Sequence, residues 1–263
     1  MMNLSKGLFL LIFFSLSAPS LAQTKEKLTV GAKSIPHAEM LEFIKPDLLS
    51  RNIALTVVLF ADYITPNIAL REGAVDANFF QHQQYFNKFK EDMNLDAVSV
   101  GSVCIELMGL YSKRVDSVSK LQVGATIAIP DDPTNMSRAL TLLEAGGLIK
   151  LNPMAGMESN LSDIQANPKK LNIVKLDITS LVRTLKDMDA AVIDASFAMP
   201  AGLYPHRDAI LVETPNLLYA TVVVAKPDVA TERRMRYLMH LLRSEKTKSF
   251  MADRYEKSVV PTF

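Results

Sequence analysis

The stretch "ATIAIPDDPTNMSRAL", residues 125–140, decides the fold. Its apolar start, "ATIAI", reads as a strand. The turn that follows is rich in Pro and Asp, and it sets Thr134, Asn135, Ser137 and Arg138 where the next helix, "SRALTLLEAGG", begins. That helix stops at a Gly pair. A strand that hands over to a helix through a polar turn is half of a β-α-β unit. The other half follows, with "LNIVKLD" as a strand, "LVRTLKDMD" as a helix and "AAVID" as a third strand.

The same order occurs upstream. "KLTVGA" reads as a strand, and "PHAEMLEFIKPDLLSRN" puts Met40, Leu41, Ile44 and Leu48 at helical spacing before the strand "IALTVVLFA". "DYITPNIALREGA" is a helix entered through Pro66 and closed at Gly73, and "VDANFF" is a third strand. Strands that alternate with helices imply parallel strands with helices packed outside them. Downstream, "LYATVVVAKPD" reads as a strand, and one long helix is expected over 231–255 with Met235, Leu238, Met239 and Leu242 on one face. The extended stretches "VGSVCIELMGLYSKRV" and "DAILVETPNLLYATVVV" can carry the chain across between the modules and back. The expected architecture is a two-lobed α/β fold, with residues 23–110 plus 215–263 in one lobe and 111–214 in the other. Ligands of such sheets sit beyond the carboxyl ends of the strands.

The first 22 residues have the order of a secretory signal peptide: Lys6, the apolar "GLFLLIFFSLSA", then "PSLA". Lys6 is the only charged residue of that leader, so the rest of the chain has a net charge near zero and nothing that attracts nucleic acid or an anionic membrane. Cys104 is the only cysteine, so no internal disulfide is available and stability must come from a core. With 49% apolar residues the chain can build one.

At the start of the 137–147 helix, Thr134, Asn135 or Ser137 can act as a cap, and an anion is favoured there by the free N–H groups and the dipole. Arg138 adds a planar fork suited to a carboxylate. An ordinary capped helix with a solvated arginine has the same pattern. "ANFFQHQQYF" gathers aromatic residues and His82 at a strand end, and neighbours Phe79 and Phe80 must face opposite ways. One of the two is therefore free for a cleft. Asp194 and Ser196 in "VIDASFA" stand where an acceptor for an ammonium group is expected, although Asp194 also suits a helix cap. The four histidines are far apart in sequence without spaced partners, so no metal or cofactor is expected. No catalytic constellation can be assembled, and Cys104 reads as apolar filler.

"DYITPNIAL", "DANFFQH", "MGLYSK", "ATIAIPDDPTNMSRAL", "GLIKL", "DAAVI" and "VVPTF", in this order, resemble the MetQ/NlpA family of methionine-binding proteins that serve ABC importers. The resemblance runs from about Leu28 to Phe263. It implies a two-lobed periplasmic binding fold of type II-like form, closing on a free amino acid and delivering it to a permease and ATPase complex in the inner membrane. By motif, Arg138 is expected to hold the ligand carboxylate with Asn135 near it, and Tyr63, Phe80 and His82 to line the side-chain pocket.

Three departures bear on the ligand. The family usually has Asn where this chain has Asp194 and Ser196, and Asn where it has Thr221; those asparagines serve the ligand's amino group. Aspartate pairs with an ammonium more strongly than Asn does, so amino-acid binding survives, and a different small amino acid or a cationic ligand becomes an alternative. A secreted interaction protein on the same fold is another. The family usually starts its mature chain with a lipid-modified Cys that is missing here, so the sequence predicts a monomer that diffuses freely in the periplasm.

Overall fold

The computed structural model describes residues 24–263, so the expected leader lies outside the described residues. The chain begins with β1 (Glu26–Ala32), α1 (Glu39–Leu49), β2 (Ile53–Leu59), α2 (Thr65–Glu72), β3 (Ala77–His82), α3 (Gln83–Met93) and β4 (Val98–Glu106). Only Leu107 separates β4 from β5 (Met108–Tyr111). Next come β6 (Thr126–Pro130), α4 (Pro133–Ala145), a small pair formed by β7 (Lys150–Leu151) and β8 (Ile164–Ala166), then β9 (Asn172–Leu176), α5 (Leu181–Thr184) and β10 (Ala190–Asp194). The chain continues through α6 (Ala195–Ala198), α7 (Pro205–Asp208), β11 (Ala209–Val212) and β12 (Ala220–Ala225). It ends with α8 (Pro227–Ala230), α9 (Arg233–Leu242), α10 (Glu245–Arg254) and β13 (Val259–Pro261).

Two main sheets result. One is six-stranded, in the order β13-β4-β12-β3-β1-β2, and the other five-stranded, β11-β5-β10-β6-β9. Within each, the β-α-β strands are parallel: β2, β1 and β3 in the first, β9, β6 and β10 in the second. The two extended stretches are the crossovers. β4 leaves the first sheet and β5 enters the second; β11 and β12 bring the chain back. Because one crossover goes and the other returns, β12 is antiparallel to β4 and to β3, and β5 is antiparallel to β10 and β11. Both sheets are therefore mixed, parallel within the β-α-β units and antiparallel at the crossover strands.

Each sheet buries its own core. In the first, Met40, Leu41, Ile44 and Leu48 of α1 pack with Met235, Leu238 and Leu242 of α9 over β1 and β3. In the second, Ala139, Leu140 and Leu143 of α4 cover Ile127, Ile129 and Val192. A third cluster joins Tyr63, Phe80 and Tyr85 of the first lobe to Tyr111, Leu181 and Ile193 of the second. Phe79 and Phe80 do face opposite ways: Phe79 lies in the first lobe's core and Phe80 in the cluster between the lobes. Cys104 is fully buried on β4.

Three local expectations are corrected. The helix expected over 231–255 is broken, because Ser244 accepts a hydrogen bond from the Thr247 N–H and starts α10 as a separate helix. α5 is a single turn rather than the expected nine-residue helix. The cap of α4 is Asp132, not Thr134, Asn135 or Ser137: its carboxylate accepts from the Asn135 N–H at 3.0 Å, with Pro133 as the first helical residue. Arg138 consequently lies in the second turn instead of at the helix start.

A buried amide network fixes α2 against β3. Asn67 Nδ2 donates to Gln81 Oε1 at 2.8 Å, Gln81 Nε2 returns a bond to Asn67 Oδ1 at 2.9 Å, and Asn78 Nδ2 reaches the Pro66 carbonyl at 2.7 Å. All three amides are at most 1% exposed. Truncating Asn67 strands the Gln81 amide in a dry interior. Asn67→Ala is expected to lower unfolding stability by about 1–3 kcal/mol in urea denaturation.

Candidate functional site

All eight residues singled out in the sequence are buried and converge where the carboxyl ends of β1, β3, β6 and β10 meet the crossovers. Tyr63, Phe80 and His82 come from the first lobe, Asn135, Arg138, Asp194 and Ser196 from the second, and Thr221 is the second residue of β12.

His82 and Asn135 face each other across the lobes. The Tyr85 N–H donates to His82 Nδ1 at 3.1 Å, so His82 caps α3 and its ring proton sits on Nε2. That proton is given to Asn135 Oδ1 at 3.1 Å, while Asn135 Nδ2 donates to the Asp132 carboxylate at 3.1 Å. Burial, aided by the charge of Arg138, pushes the His82 pKa down to about 3. The imidazole is therefore neutral, as its hydrogen bonds require.

Tyr63 makes a second link. Its hydroxyl lies 2.8 Å from Ser196 Oγ and 3.4 Å from Asp194 Oδ1, and its ring touches those of Phe80, Tyr85 and Phe197 with centroids 5.6, 5.5 and 5.1 Å apart. Asp194 both caps α6, accepting from the Ser196 N–H at 2.8 Å, and faces the seam, so the two readings of this residue are compatible. Burial and the nearby Glu106 charge raise its pKa to about 6.

Arg138 is 2% exposed and points inward. Nε donates to Glu213 Oε2 at 3.0 Å, Nη1 to Asp194 Oδ2 at 3.2 Å, and Nη2 to both the Glu106 carbonyl at 2.5 Å and Glu213 Oε1. The Tyr219 ring covers the guanidinium, 4.7 Å from Cζ. Four of its five N–H groups are thus given to these acceptors.

Sequence reasoning missed Lys33, His37, Glu106, Glu213 and Tyr219. Glu106 is the most informative omission, since it interrupts the apolar run "VCIELM" with a charge. Its Oε1 accepts from Thr221 Oγ1 at 2.8 Å and lies 2.6 Å from His37 Nε2. Lys33, at the end of β1, is 4% exposed; burial lowers its pKa to about 8 against the opposing pull of Asp194 and Glu106. At the outer end of the seam, a cavity of about 400 Å³ lies between α3 and the start of α4, lined by Ile64, Tyr85, Phe89, Met93 and Pro133. Among the described residues no group of His, Cys, Asp and Glu is placed to hold a metal ion, and no helix is long and apolar enough to cross a membrane.

The His82 geometry has a measurable consequence. Its folded pKa lies below the ordinary 6.5, so the unfolded chain binds more protons between the two values. The stability this residue contributes is complete above the unfolded value and is lost as pH falls towards the folded one. Nitrogen-detected NMR is expected to show a neutral His82 ring protonated on Nε2 from pH 5 to 8, and His82→Gln to flatten the acid limb of a stability-versus-pH curve.

Residues 28–263 match the family described as NlpA lipoprotein. The methionine-binding lipoprotein MetQ of Bacillus subtilis is 34% identical over 271 residues, covering 99% of this chain and 99% of its own. A periplasmic substrate-binding protein of an ABC transporter from Coxiella burnetii is 40% identical, with a TM-score of 0.85 over 89% of this chain and 100% of its own. A nutrient-binding protein from Burkholderia cenocepacia, solved bound to methionine, is 35% identical, with a TM-score of 0.86 over 90% of this chain and 100% of its own. These findings correct one expectation. Free diffusion in the periplasm was inferred from the missing lead cysteine alone, and it is overturned by a family and a relative both named as lipoproteins. Nearly the whole described chain carries the match, with the two-lobed fold beneath it, and the chain belongs to the NlpA lipoprotein family.

Proposed function

We propose that this chain is a substrate-binding protein that captures methionine, or a close relative, between its lobes and delivers it to the permease and ATPase of an ABC importer, without catalysing a reaction. The observation that carries this reading is a seam in which charges of both signs stand beside an aromatic wall, all of it buried. Asp194 suits the ligand's ammonium, and Tyr63, Phe80 and His82 suit its thioether side chain. The relative solved with methionine, similar over nearly its full length, supports the ligand class.

Magnitudes explain why both lobes are needed. A charge-assisted hydrogen bond contributes about 1.5–3 kcal/mol. Burying a Met-sized side chain contributes about 1.5–3 kcal/mol. Micromolar affinity requires about 8 kcal/mol after the losses of association. No single wall supplies that, so the ligand must touch both, and its binding draws the lobes together.

A second reading, a cationic ligand, is favoured by one observation. Arg138 is paired with two carboxylates, Asp194 and Glu213, while a third, Glu106, is buried against Thr221 and His37.

Calorimetry of ligand-free protein is expected to show saturable, 1:1 heat with L-methionine at micromolar concentration or tighter; no heat with L- or D-methionine overturns the methionine reading. Protonation of Asp194 removes the ammonium's partner, so binding is expected to weaken from pH 7.5 to pH 5, and Asp194→Asn to abolish that dependence.

A further inference from the structure

Glu213 holds Arg138 by one edge of the guanidinium. Its Oε2 accepts from Nε at 3.0 Å and its Oε1 from Nη2, a bidentate pair whose two side chains are 9% and 2% exposed. The same Oε1 accepts the Met108 N–H at 2.7 Å, and the Glu213 N–H donates to the Met108 carbonyl at 3.0 Å. Met108 opens β5, one residue after Leu107, where the chain passes from the first sheet to the second. Glu213 itself follows β11 on the way back. One carboxylate thus ties the outgoing crossover, the returning crossover and the guanidinium together.

That grip decides which end of the fork meets the seam. With Nε and Nη2 turned to Glu213, Nη1 is the end that reaches Asp194 Oδ2, at 3.2 Å, and Asp194 Oδ1 lies 3.4 Å from the Tyr63 hydroxyl of the first lobe. The other acceptors are weaker anchors: the Glu106 carbonyl takes Nη2 alone and Asp194 takes Nη1 alone. A planar fork held at single nitrogens can turn, whereas one held at two by the same carboxylate cannot. There is room for it to turn. A cavity of about 330 Å³ adjoins Arg138 between α4 and the returning crossover, lined also by Thr141, Leu142, Leu211, Asn216 and Tyr219.

We propose that Glu213 is a positioning residue that keeps the Nη1 end of Arg138 aimed into the seam, so that preference for a ligand with a free carboxylate depends on it. This rests on the amino-acid reading above, with Arg138 as the carboxylate's partner. Because Oε1 serves both the guanidinium and the Met108 N–H, a shift of one crossover against the other also moves the fork. The grip on the carboxylate is thereby tied to the geometry of the strands that join the lobes.

The test compares L-methionine with L-methioninol, which keeps the ammonium and the thioether and has an alcohol in place of the carboxylate. Wild-type protein is expected to favour methionine by about tenfold or more in calorimetry. Glu213→Gln keeps the side chain's length but loses the charge and turns one of the two acceptors into a donor that faces the guanidinium. It is expected to bring the ratio within about threefold of unity while changing the methioninol affinity by less than about threefold. Thermal melts check that the variant is folded. If it is not, Glu213→Asp, which keeps the charge and falls one methylene short of both partners, replaces it and is read in the same way. A wild-type ratio retained by the folded variant makes Glu213 a structural tie only and overturns the proposal. A ratio that rises overturns it too, because Glu213 then only opposes the ligand's carboxylate by its charge, as does wild-type protein that does not favour methionine. Wild-type protein that binds neither ligand overturns the amino-acid reading and this one with it, whereas tight methionine binding with an unchanged ratio in the variant sinks this one alone.

Discussion

The burial of one guanidinium organises this molecule. Arg138 sits on α4 at 2% exposure, and a charge so placed is tolerated only if its donors are met. The acceptors come from three separate segments: the Glu106 carbonyl at the end of β4, Asp194 at the end of β10, and Glu213 on the returning crossover. Meeting one arginine therefore pins the second lobe's main helix to both strands that join the lobes. The crossovers and the candidate site share these contacts.

Around that centre the polar groups are arranged so that little is free. Asp132 caps α4 and orients Asn135; Asn135 accepts from His82; His82 caps α3. The chain of bonds passes from the second lobe to the first without changing a charge, because burial keeps the imidazole neutral. Tyr63 makes the parallel link to Ser196. These contacts are uncharged or share one carboxylate, so separating the lobes exposes groups that water can satisfy at modest cost. Charged pairs across the seam would have made opening far dearer.

How much of this was legible in the sequence follows from what each signal encodes. Hydrophobic period gave the β-α-β units, because a buried helix face and a buried strand must repeat at fixed intervals. It carries no information about strand direction at the crossovers, so the antiparallel β4–β12 pair in the middle of the first sheet was not foreseen. Nor does period see a side-chain cap: Ser244 splits α9 from α10 inside an unbroken amphipathic pattern. At the site, Asp132, Asn135 and Arg138 lie within seven residues, and only their order relative to the turn was misread. Thr221 and the pocket role of Tyr63 came from family resemblance, whereas the local pattern already offered one of Phe79 and Phe80 and set Ser196 at a strand end without saying which phenylalanine faces the seam. Lys33, Glu106 and Glu213 escaped because a lone charge beside a strand reads as a solvated end until the fold buries it.

Asp194 stands where the family resemblance implies Asn, and the exchange changes what faces Arg138. A neutral amide has both a donor and an acceptor and leaves a facing arginine partly free; a carboxylate only accepts, and Asp194 takes a hydrogen bond from Arg138 directly. The second lobe then neutralises its own cation with its own carboxylate. Across the seam, on the first lobe, Lys33 is buried over the Phe197 ring of α6. That contact sets a cation of one lobe on a ring of the other, and it exists only while the seam is shut. The closed arrangement is thus held by contacts that each need both lobes: the Lys33–Phe197 stack beside the His82–Asn135 and Tyr63–Ser196 hydrogen bonds.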